Sequence, residues 1–307
     1  MTVDRAEVVA GLTRTLRSAR NADGGWAYFV GKSSRLEPTC WAILSLLDSG
    51  AEFPLHELDA SLTLLSRWQQ RDGLLSDTPG APQNLAFNGL AALVISLARE
   101  RHPAAAPGLQ QLEARLLDSI RTETGVQYRQ VEGQRQDNRL RGWPWIDRTF
   151  SWLEPTAWCL LALKRSKRTP ADPRVDSRID EAERCVLDRC CLSGGWNFGT
   201  SNTLGKELHP YVPTTALGLL ALQDRRETPE VIRSLRWLRE HEASEPSATG
   251  LSMALVAARV FGQPGESLDA RLQELVATTK GLGNLATTAL ALYALTSSVH
   301  GTEAVNL

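Results

Sequence analysis

Two glutamates occupy the same four-residue motif, Leu-Glu-Pro-Thr, at two places in the chain. Glu37 and Glu154 each stand directly before an apolar segment. A carboxyl group in apolar surroundings loses hydration, which raises its pKa towards neutral pH and suits it to general acid–base catalysis. Asp147 adds a third carboxylate in the loop before the second motif. We predict these three as candidate catalytic residues, with Glu154 first.

The structural alternative for both glutamates is a role at a helix start. A carboxylate in the first turn of a helix interacts favourably with the exposed N–H groups and with the helix dipole. Because the motif occurs twice and a reaction needs one acid, this interpretation stays open beside the catalytic one.

Aromatic side chains surround both motifs, and ring faces of this kind can stabilise a cation or line a ligand cavity. Trp152 and Trp158 flank the start of the second apolar segment, and Trp41 has the position of Trp158 in the first. The alternative is that some tryptophans link adjacent repeats, which we favour for Trp26 and Trp196. The residues predicted to contact a ligand are Trp152, Trp158, Trp41, Trp145, Trp143, His209 and Tyr211.

The motifs belong to a repeat that occurs at residues 24–47, 142–163 and 194–222. Each copy runs from Gly and Trp through a loop to Pro-Thr and an apolar helix, with Pro38, Pro155 and Pro213 at the helix starts. Such periodicity indicates stacked, similar structural units.

Apolar and amphipathic helices alternate along the whole chain. A helix that is apolar all round must be buried, whereas an amphipathic helix keeps one face in water. An open solenoid would have more polar end repeats, but the last segment, 284–297, is as apolar as the central ones. We therefore predict an all-α fold, an α/α toroid of six inner and six outer helices, as one domain over 1–307 with a long loop at 122–150. The predicted inner helices are 38–48, 83–99, 155–164, 213–222, 247–261 and 284–297, and the outer ones 5–18, 57–70, 109–121, 177–190, 229–241 and 267–278.

Composition limits the partners and the compartment. The formal net charge is −1, so we expect no nucleic-acid binding. No uncharged apolar run approaches the roughly 20 residues of a membrane span, and nothing in the sequence supports peripheral membrane association. Five cysteines at irregular spacing argue against a disulfide framework, and no signal peptide is evident, so we predict a cytoplasmic protein.

The Gly-Gly-Trp loops that lead into apolar helices resemble the repeats of the terpenoid cyclase and protein prenyltransferase superfamily. Its members include squalene–hopene cyclases, class II diterpene cyclases and the beta subunits of protein prenyltransferases. The resemblance implies an α/α toroid around an apolar cavity and an isoprenoid-like small molecule as ligand. Aligning Thr156-Ala157 with the cyclase Asp-x-Asp-Asp-Thr-Ala motif places Glu154 at the catalytic acid, so the implied activity is a protonation-initiated terpene cyclase, an isomerase or lyase.

The same resemblance argues against zinc chemistry. The prenyltransferases bind zinc through Asp-x-Cys, and that position reads Glu154-Pro155-Thr156 here, without a thiolate. We therefore expect no metal and no cofactor.

Two alternatives remain. One is a non-catalytic toroid that binds an apolar ligand or a partner protein chain. The other comes from (α/α) ring proteins that act on polysaccharides, often with paired carboxylates. Glu37, Asp147 and Glu154 could supply such a pair, although the Gly-Gly-Trp repeats favour the terpenoid superfamily.

Overall fold

A computed structural model describes residues 4–49, 53–78, 80–104, 108–166, 172–279, 281–297 and 305–307. Twelve α-helices lie within these ranges, which confirms the predicted all-α toroid. The outer helices are α1 (Arg5–Ser18), α3 (Leu55–Trp68), α5 (Leu109–Thr122), α7 (Pro173–Asp188), α9 (Pro229–His241) and α11 (Glu266–Thr278). The inner helices are α2 (Leu36–Asp48), α4 (Leu85–Arg101), α6 (Leu153–Ser166), α8 (Val212–Ala221), α10 (Ala248–Val260) and α12 (Leu285–Thr296).

The inner helices close into a ring. They pack in the order α2, α4, α6, α8, α10 and α12, and α12 packs back against α2. Each outer helix packs against a neighbouring inner helix, as α5 does on α4 and α7 on α6. The first and last inner helices thus complete the same wall, which a solenoid would leave open.

The alternation of hydrophobicity explains the two layers. Residues of the inner helices are buried almost without interruption, as in α4 from Asn88 to Ala98. Outer helices bury a single stripe, which in α3 includes Leu58, Leu62 and Leu65. A single apolar core therefore lies between the layers and inside the inner ring.

Two further features stand on the side of the ring where the inner helices begin. Residues 123–152, described throughout, connect α5 to α6 without a helix or strand. Between α7 and α8, strands β1 (Asn202–Thr203) and β2 (Lys206–Glu207) form a short antiparallel hairpin. The long loop is attached to its neighbours because Arg135 N–H donates to Asn202 Oδ1 at 3.0 Å and Asp137 N–H donates to Asp188 Oδ2 at 3.0 Å.

Candidate active site

A recurring hydrogen-bonded unit, called here the Trp–Thr frame, positions the start of three inner helices. The backbone N–H of a tryptophan donates to a threonine Oγ1 in the first turns of the helix, and the indole N–H donates to a carbonyl of the preceding outer helix at 2.7 Å. The threonine contacts are 2.9, 2.9 and 3.0 Å for the pairs Trp26–Thr39, Trp143–Thr156 and Trp196–Thr215. The repeated Gly, Trp and Thr therefore serve the backbone of the toroid.

Gly142 shows why the frame needs glycine before the tryptophan. A Cβ atom at this position would lie 2.1 Å from Thr156 Oγ1, closer than any side chain can approach. The loop can reach the threonine only because no side chain intervenes.

The frame also shows which residues occupy equivalent positions in the three repeats. Trp and Thr are 13 residues apart in the first two frames but 19 apart in the third, whose intervening loop carries the β1–β2 hairpin. Because Thr215 and not Thr214 completes the third frame, Pro213 aligns with Glu37 and Glu154. The third repeat therefore has no carboxylate at this position. The sequence-based alignment of Pro213 with Pro38 and Pro155 is wrong by one residue.

A fourth, degenerate frame escapes sequence reasoning. The backbone N–H of Leu75 donates to Asn88 Oδ1 at 2.7 Å, and Asn88 Nδ2 donates back to the carbonyl of Leu75 at 2.9 Å. Leu and Asn replace Trp and Thr here, and only the 13-residue spacing after Gly73 signals the copy.

A cavity of about 240 Å³ lies at the centre of the ring, between the N-terminal halves of the inner helices. Each inner helix contributes one side chain to its wall from the same level: Trp41, Leu90, Trp158, Leu217, Met253 and Leu290. The rings of Trp41 and Trp158 meet edge to face, with centroids 5.6 Å apart. The remaining wall consists of Glu37, Glu154, Phe87, Phe198, Pro213, Thr214 and Thr249. The two motif glutamates thus face one shared, mostly apolar space.

Glu154 has the electrostatics of an acid that keeps its proton near neutral pH. Burial and, to a smaller extent, the negative charge of Glu37 raise the pKa of Glu154 to about 7, while hydrogen bonding by Trp158 opposes the shift. Glu154 and Trp158 are four residues apart and therefore lie on the same helix face. The carboxyl is half-buried, with its open side towards the cavity.

Glu37 has a more polar setting. Burial raises its pKa as well, and the nearby charge of Asp77 adds to the shift, but hydrogen bonds from Tyr28 and Trp41 favour the ionised form. The phenolic O–H of Tyr28 donates to Glu37 Oε2. A carboxylate that accepts such bonds is stabilised in its charged state, so the bonds from Tyr28 and Trp41 oppose the rise in the pKa of Glu37.

Both glutamates lie in the first turn of their helices, where the helix dipole favours a carboxylate. At α2 the N-cap residue is Arg35, which makes no side-chain hydrogen bond to the exposed N–H groups. Both glutamates also line the cavity, so a place at the helix start and a role in chemistry are compatible.

The other predicted catalytic residue lies outside the cavity. The side chain of Asp147 is 77% exposed and pairs with Arg148 at 3.3 Å. Loop residues beside it point to water because the chain reaches the surface between Trp145 and Phe150. Asp147 therefore does not share the apolar site of the two motif glutamates.

The predicted ligand-contacting residues separate into three groups. Trp41 and Trp158 line the cavity. Trp145 stands behind the lining residue Phe87, with ring centroids 6.2 Å apart. The others are placed elsewhere: Trp152 against Phe150, Tyr211 against Phe198 at the mouth, His209 exposed, and Trp143 fully buried in its frame beneath the Arg178 guanidinium.

Three aromatic side chains of the site, Tyr28, Phe87 and Phe198, were not predicted from the sequence. Tyr28 and Phe198 each follow their frame tryptophan by two residues, and Trp145 has the same position in the second repeat. That spacing could have identified them, since one aromatic side chain recurs there in all three copies. Phe87 belongs to the degenerate fourth repeat and carried no such signal.

Within the described ranges, no group of three His, Cys, Asp or Glu side chains is arranged to hold a metal ion. The described helices also include none with the length and apolar character to cross a bilayer.

No protein-family profile and no curated protein sequence matches the chain. Solved structures do match its fold. An α-amylase from Clostridium perfringens aligns with a TM-score of 0.66 at 10% identity, over 94% of this chain and 97% of the other. An inactive variant of an α-1,6-mannanase from Salegentibacter, in complex with α-1,6-mannotriose, aligns at 0.65 and 10% identity over 98% and 99%. A β-1,3-1,4-glucanase from a Paenibacillus species aligns at 0.62 and 11% identity over 96% and 93%.

These matches correct the functional part of the sequence interpretation. The matched proteins are toroids named for action on sugars. Three predictions are therefore wrong: the resemblance to terpenoid cyclases and prenyltransferases, the isoprenoid ligand, and the isomerase or lyase activity. The predicted alternative, a non-catalytic toroid for an apolar ligand or a partner chain, has no support either. The physical reason is that Gly, Trp and Thr of the repeat build the frame, and a backbone motif carries no information about the reaction. At 10–11% identity the matches establish the α/α toroid fold alone.

Proposed function

We propose that this protein is a glycoside hydrolase in which Glu154 is the general acid and Glu37 is the ionised partner. The observation that carries the proposal is the pair itself: two carboxyls face one cavity, and the pKa of Glu154 is raised to about 7. Glycosidases commonly use two carboxyl groups on either side of the scissile bond, one protonated and one ionised.

The chemistry assigns one task to each carboxyl. Glu154 donates its proton to the glycosidic oxygen as the bond to the anomeric carbon breaks, and the leaving group departs as an alcohol. Glu37 stabilises the positive charge that develops on the sugar ring and either bonds to the anomeric carbon or takes a proton from the attacking water. The ring faces of Trp41 and Trp158 lie beside this developing cation and stabilise it further.

The aromatic and polar lining also fits one sugar ring. A pyranose presents C–H groups to an aromatic face and hydroxyls at its edge, and Thr214 and Thr249 add hydroxyls to the wall. A volume of about 240 Å³ lies below the roughly 300–1,000 Å³ of most ligand pockets. We therefore propose that a single terminal unit of the substrate enters the cavity.

We include in the proposal that the protein is a single-domain toroid that works in the cytoplasm. All five cysteines are free and buried, which fits a reducing compartment.

The test is hydrolysis of a panel of aryl α- and β-glycosides and of short oligosaccharides of xylose, mannose and glucose. We expect the wild type to release sugar from at least one of them, and Glu154→Gln to lower kcat by about 100- to 10,000-fold, because the neutral amide cannot donate a proton. Glu240→Gln, an exposed change on α9, serves as the matched control. Equal rates for Glu154→Gln and the control, or no hydrolysis of any panel member, would refute the proposal.

A further inference from the structure

A second cavity opens beside the central one, and we call it the loop groove. It has a volume of about 480 Å³ and lies between the 123–152 loop, the end of α7 and the segment that follows Phe198. The side chains that line it include Tyr128, Val131, Gln136, Phe150 and Arg189.

The groove and the central cavity share a wall. Phe198 lines the cavity, whereas the next two residues, Gly199 and Thr200, line the groove. On the other side of the wall Glu154 lines the cavity and Phe150 lines the groove. The two segments are joined because Leu153 N–H donates to the Phe198 carbonyl at 2.9 Å.

One side of the groove is an exposed aromatic ladder. The rings of Tyr128 and Phe150 meet edge to face with centroids 5.8 Å apart, and Phe150 lies against Trp152 at 4.5 Å. Tyr128 is 45% exposed and Phe150 37%, and because their rings touch they form a contiguous exposed apolar patch, the kind of surface that marks binding sites. An open aromatic surface of this kind matches the C–H face of a sugar ring.

The other side is polar, and its lining includes two arginines, Arg129 and Arg189. Gln136 is buried at the groove wall, and its Oε1 has no hydrogen-bond partner within the described ranges. An unpaired buried acceptor is unfavourable, so a ligand hydroxyl that reaches it gains affinity. The guanidinium of Arg189 is paired with Asp188 and with the carbonyl of Asp137, which offsets its charge.

We infer that the loop groove holds the next units of an oligosaccharide whose terminal ring occupies the central cavity. This inference rests on the proposed hydrolase function and names its substrate class: chains of at least two sugar units. Glu154 lies on the cavity side of the shared wall and Phe150 on its groove side, so a chain that occupies both spaces has the bond between its units beside this wall.

The experiment measures affinity against chain length in the Glu154→Gln background, which prevents turnover. Calorimetric titrations use xylose, mannose and glucose together with their linear di- and tetrasaccharides. We expect at least one tetrasaccharide to bind tenfold or more tightly than its monosaccharide. Phe150→Ala should remove most of that gain and leave the monosaccharide affinity unchanged.

Two further variants keep the result interpretable. Tyr128→Ala removes the other exposed ring of the ladder and covers the case in which Phe150→Ala fails to fold, as judged by its melting temperature. Phe29→Ala removes a 58% exposed ring that lines neither space and should keep the full gain with length.

The outcomes separate this inference from the proposed function. Affinity that does not increase with length, or an increase that survives both groove variants, would overturn the groove assignment while leaving hydrolysis of aryl glycosides intact. Length-dependent binding together with no turnover by the wild type would refute the hydrolase and retain the groove as a glycan site.

Discussion

The starts of α2 and α6 have the same backbone and the same motif but different surroundings. Both carry the Trp–Thr frame, a glutamate two residues before the threonine and a tryptophan two residues after it. At α2 the aromatic residue after the frame tryptophan is Tyr28, which donates to Glu37. At α6 the equivalent residue is Trp145, which packs on Phe87.

The N-cap position continues the contrast. Arg35 precedes Glu37, pairs with Asp77 and lies over the Tyr28 ring at 5.8 Å. Trp152 has the same position before Glu154 and lies against Phe150. One repeat unit is thus polar around its glutamate and the other apolar, so two identical side chains have different neighbours that act on their pKa values. Chemistry at this site comes from the variable positions around a fixed backbone frame.

The largest expected effect comes from removing the ionised partner by Glu37→Gln. We expect kcat to fall by about 100-fold or more, because the sugar cation loses its facing negative charge. The pKa of Glu154 should also fall below about 7, since the charge of Glu37 is one cause of its elevation. NMR titration of ¹³C-labelled glutamate side chains measures this directly, and an unchanged Glu154 titration would show that the two carboxyls are not coupled.

Much of this comparison could be anticipated from the sequence. The alternation of apolar and amphipathic segments predicted the order of all twelve helices. An inner helix is apolar on every side because it is buried on every side, whereas an outer helix is apolar on one face only. The repeated Leu-Glu-Pro-Thr placed Glu37 and Glu154 at equivalent helix starts, but the sequence did not indicate which two of Glu37, Asp147 and Glu154 share a cavity. The roles of the tryptophans did not follow: Trp143 and Trp158 read alike in sequence, yet one holds the frame and the other lines the cavity.

The substrate class could not be derived because the conspicuous residues belong to the backbone frame. The fourth copy, with Leu75 and Asn88, shows that the frame tolerates other side chains once the spacing is kept. A toroid can therefore retain its repeat while its cavity lining changes the reaction, and fold resemblance carries little functional information. Tyr28 and Trp145 occupy equivalent positions in two repeats, and the difference between them becomes visible only when the frames are superposed.

A second, intermediate effect concerns stability. The pKa of Glu154 is raised from 4.5 to about 7 on folding, so between these values the folded state holds a proton that the unfolded state has lost. Stability then falls as pH rises through this window. Gln cannot ionise, so Glu154→Gln should exceed the wild type in free energy of unfolding by about 3 kcal/mol at pH 8 and match it near pH 4.

Urea denaturation at the two pH values measures this difference. Glu37→Gln should gain less, because Tyr28 and Trp41 already stabilise the charged form of Glu37. Glu240→Gln, exposed on α9, should show no pH-dependent gain. A stability gain for Glu154→Gln that is equal at both pH values would mean that the carboxyl does not carry the elevated pKa.

The smallest expected effect isolates the one hydrogen bond that distinguishes the two repeats. Tyr28→Phe removes the O–H that donates to Glu37 Oε2 and keeps the ring that packs beneath Arg35. Because that bond favours the ionised carboxylate, its loss should raise the pKa of Glu37 further. Glu37 must be ionised to act, so the acid limb of the kcat/KM profile should move to higher pH. A hydrogen bond to a charged group contributes about 1.5–3 kcal/mol, so we expect about tenfold lower activity on the acid side and little change near the optimum.

Tyr293→Phe is the matched control. The buried hydroxyl of Tyr293 has no hydrogen-bond partner within the described ranges, so its removal should leave the profile unchanged. If both variants shift the limb equally, general packing and not the Tyr28 hydroxyl sets the acidity of Glu37; if neither does, the ionised partner is held by other groups, and the polar character of the first repeat has no bearing on the reaction.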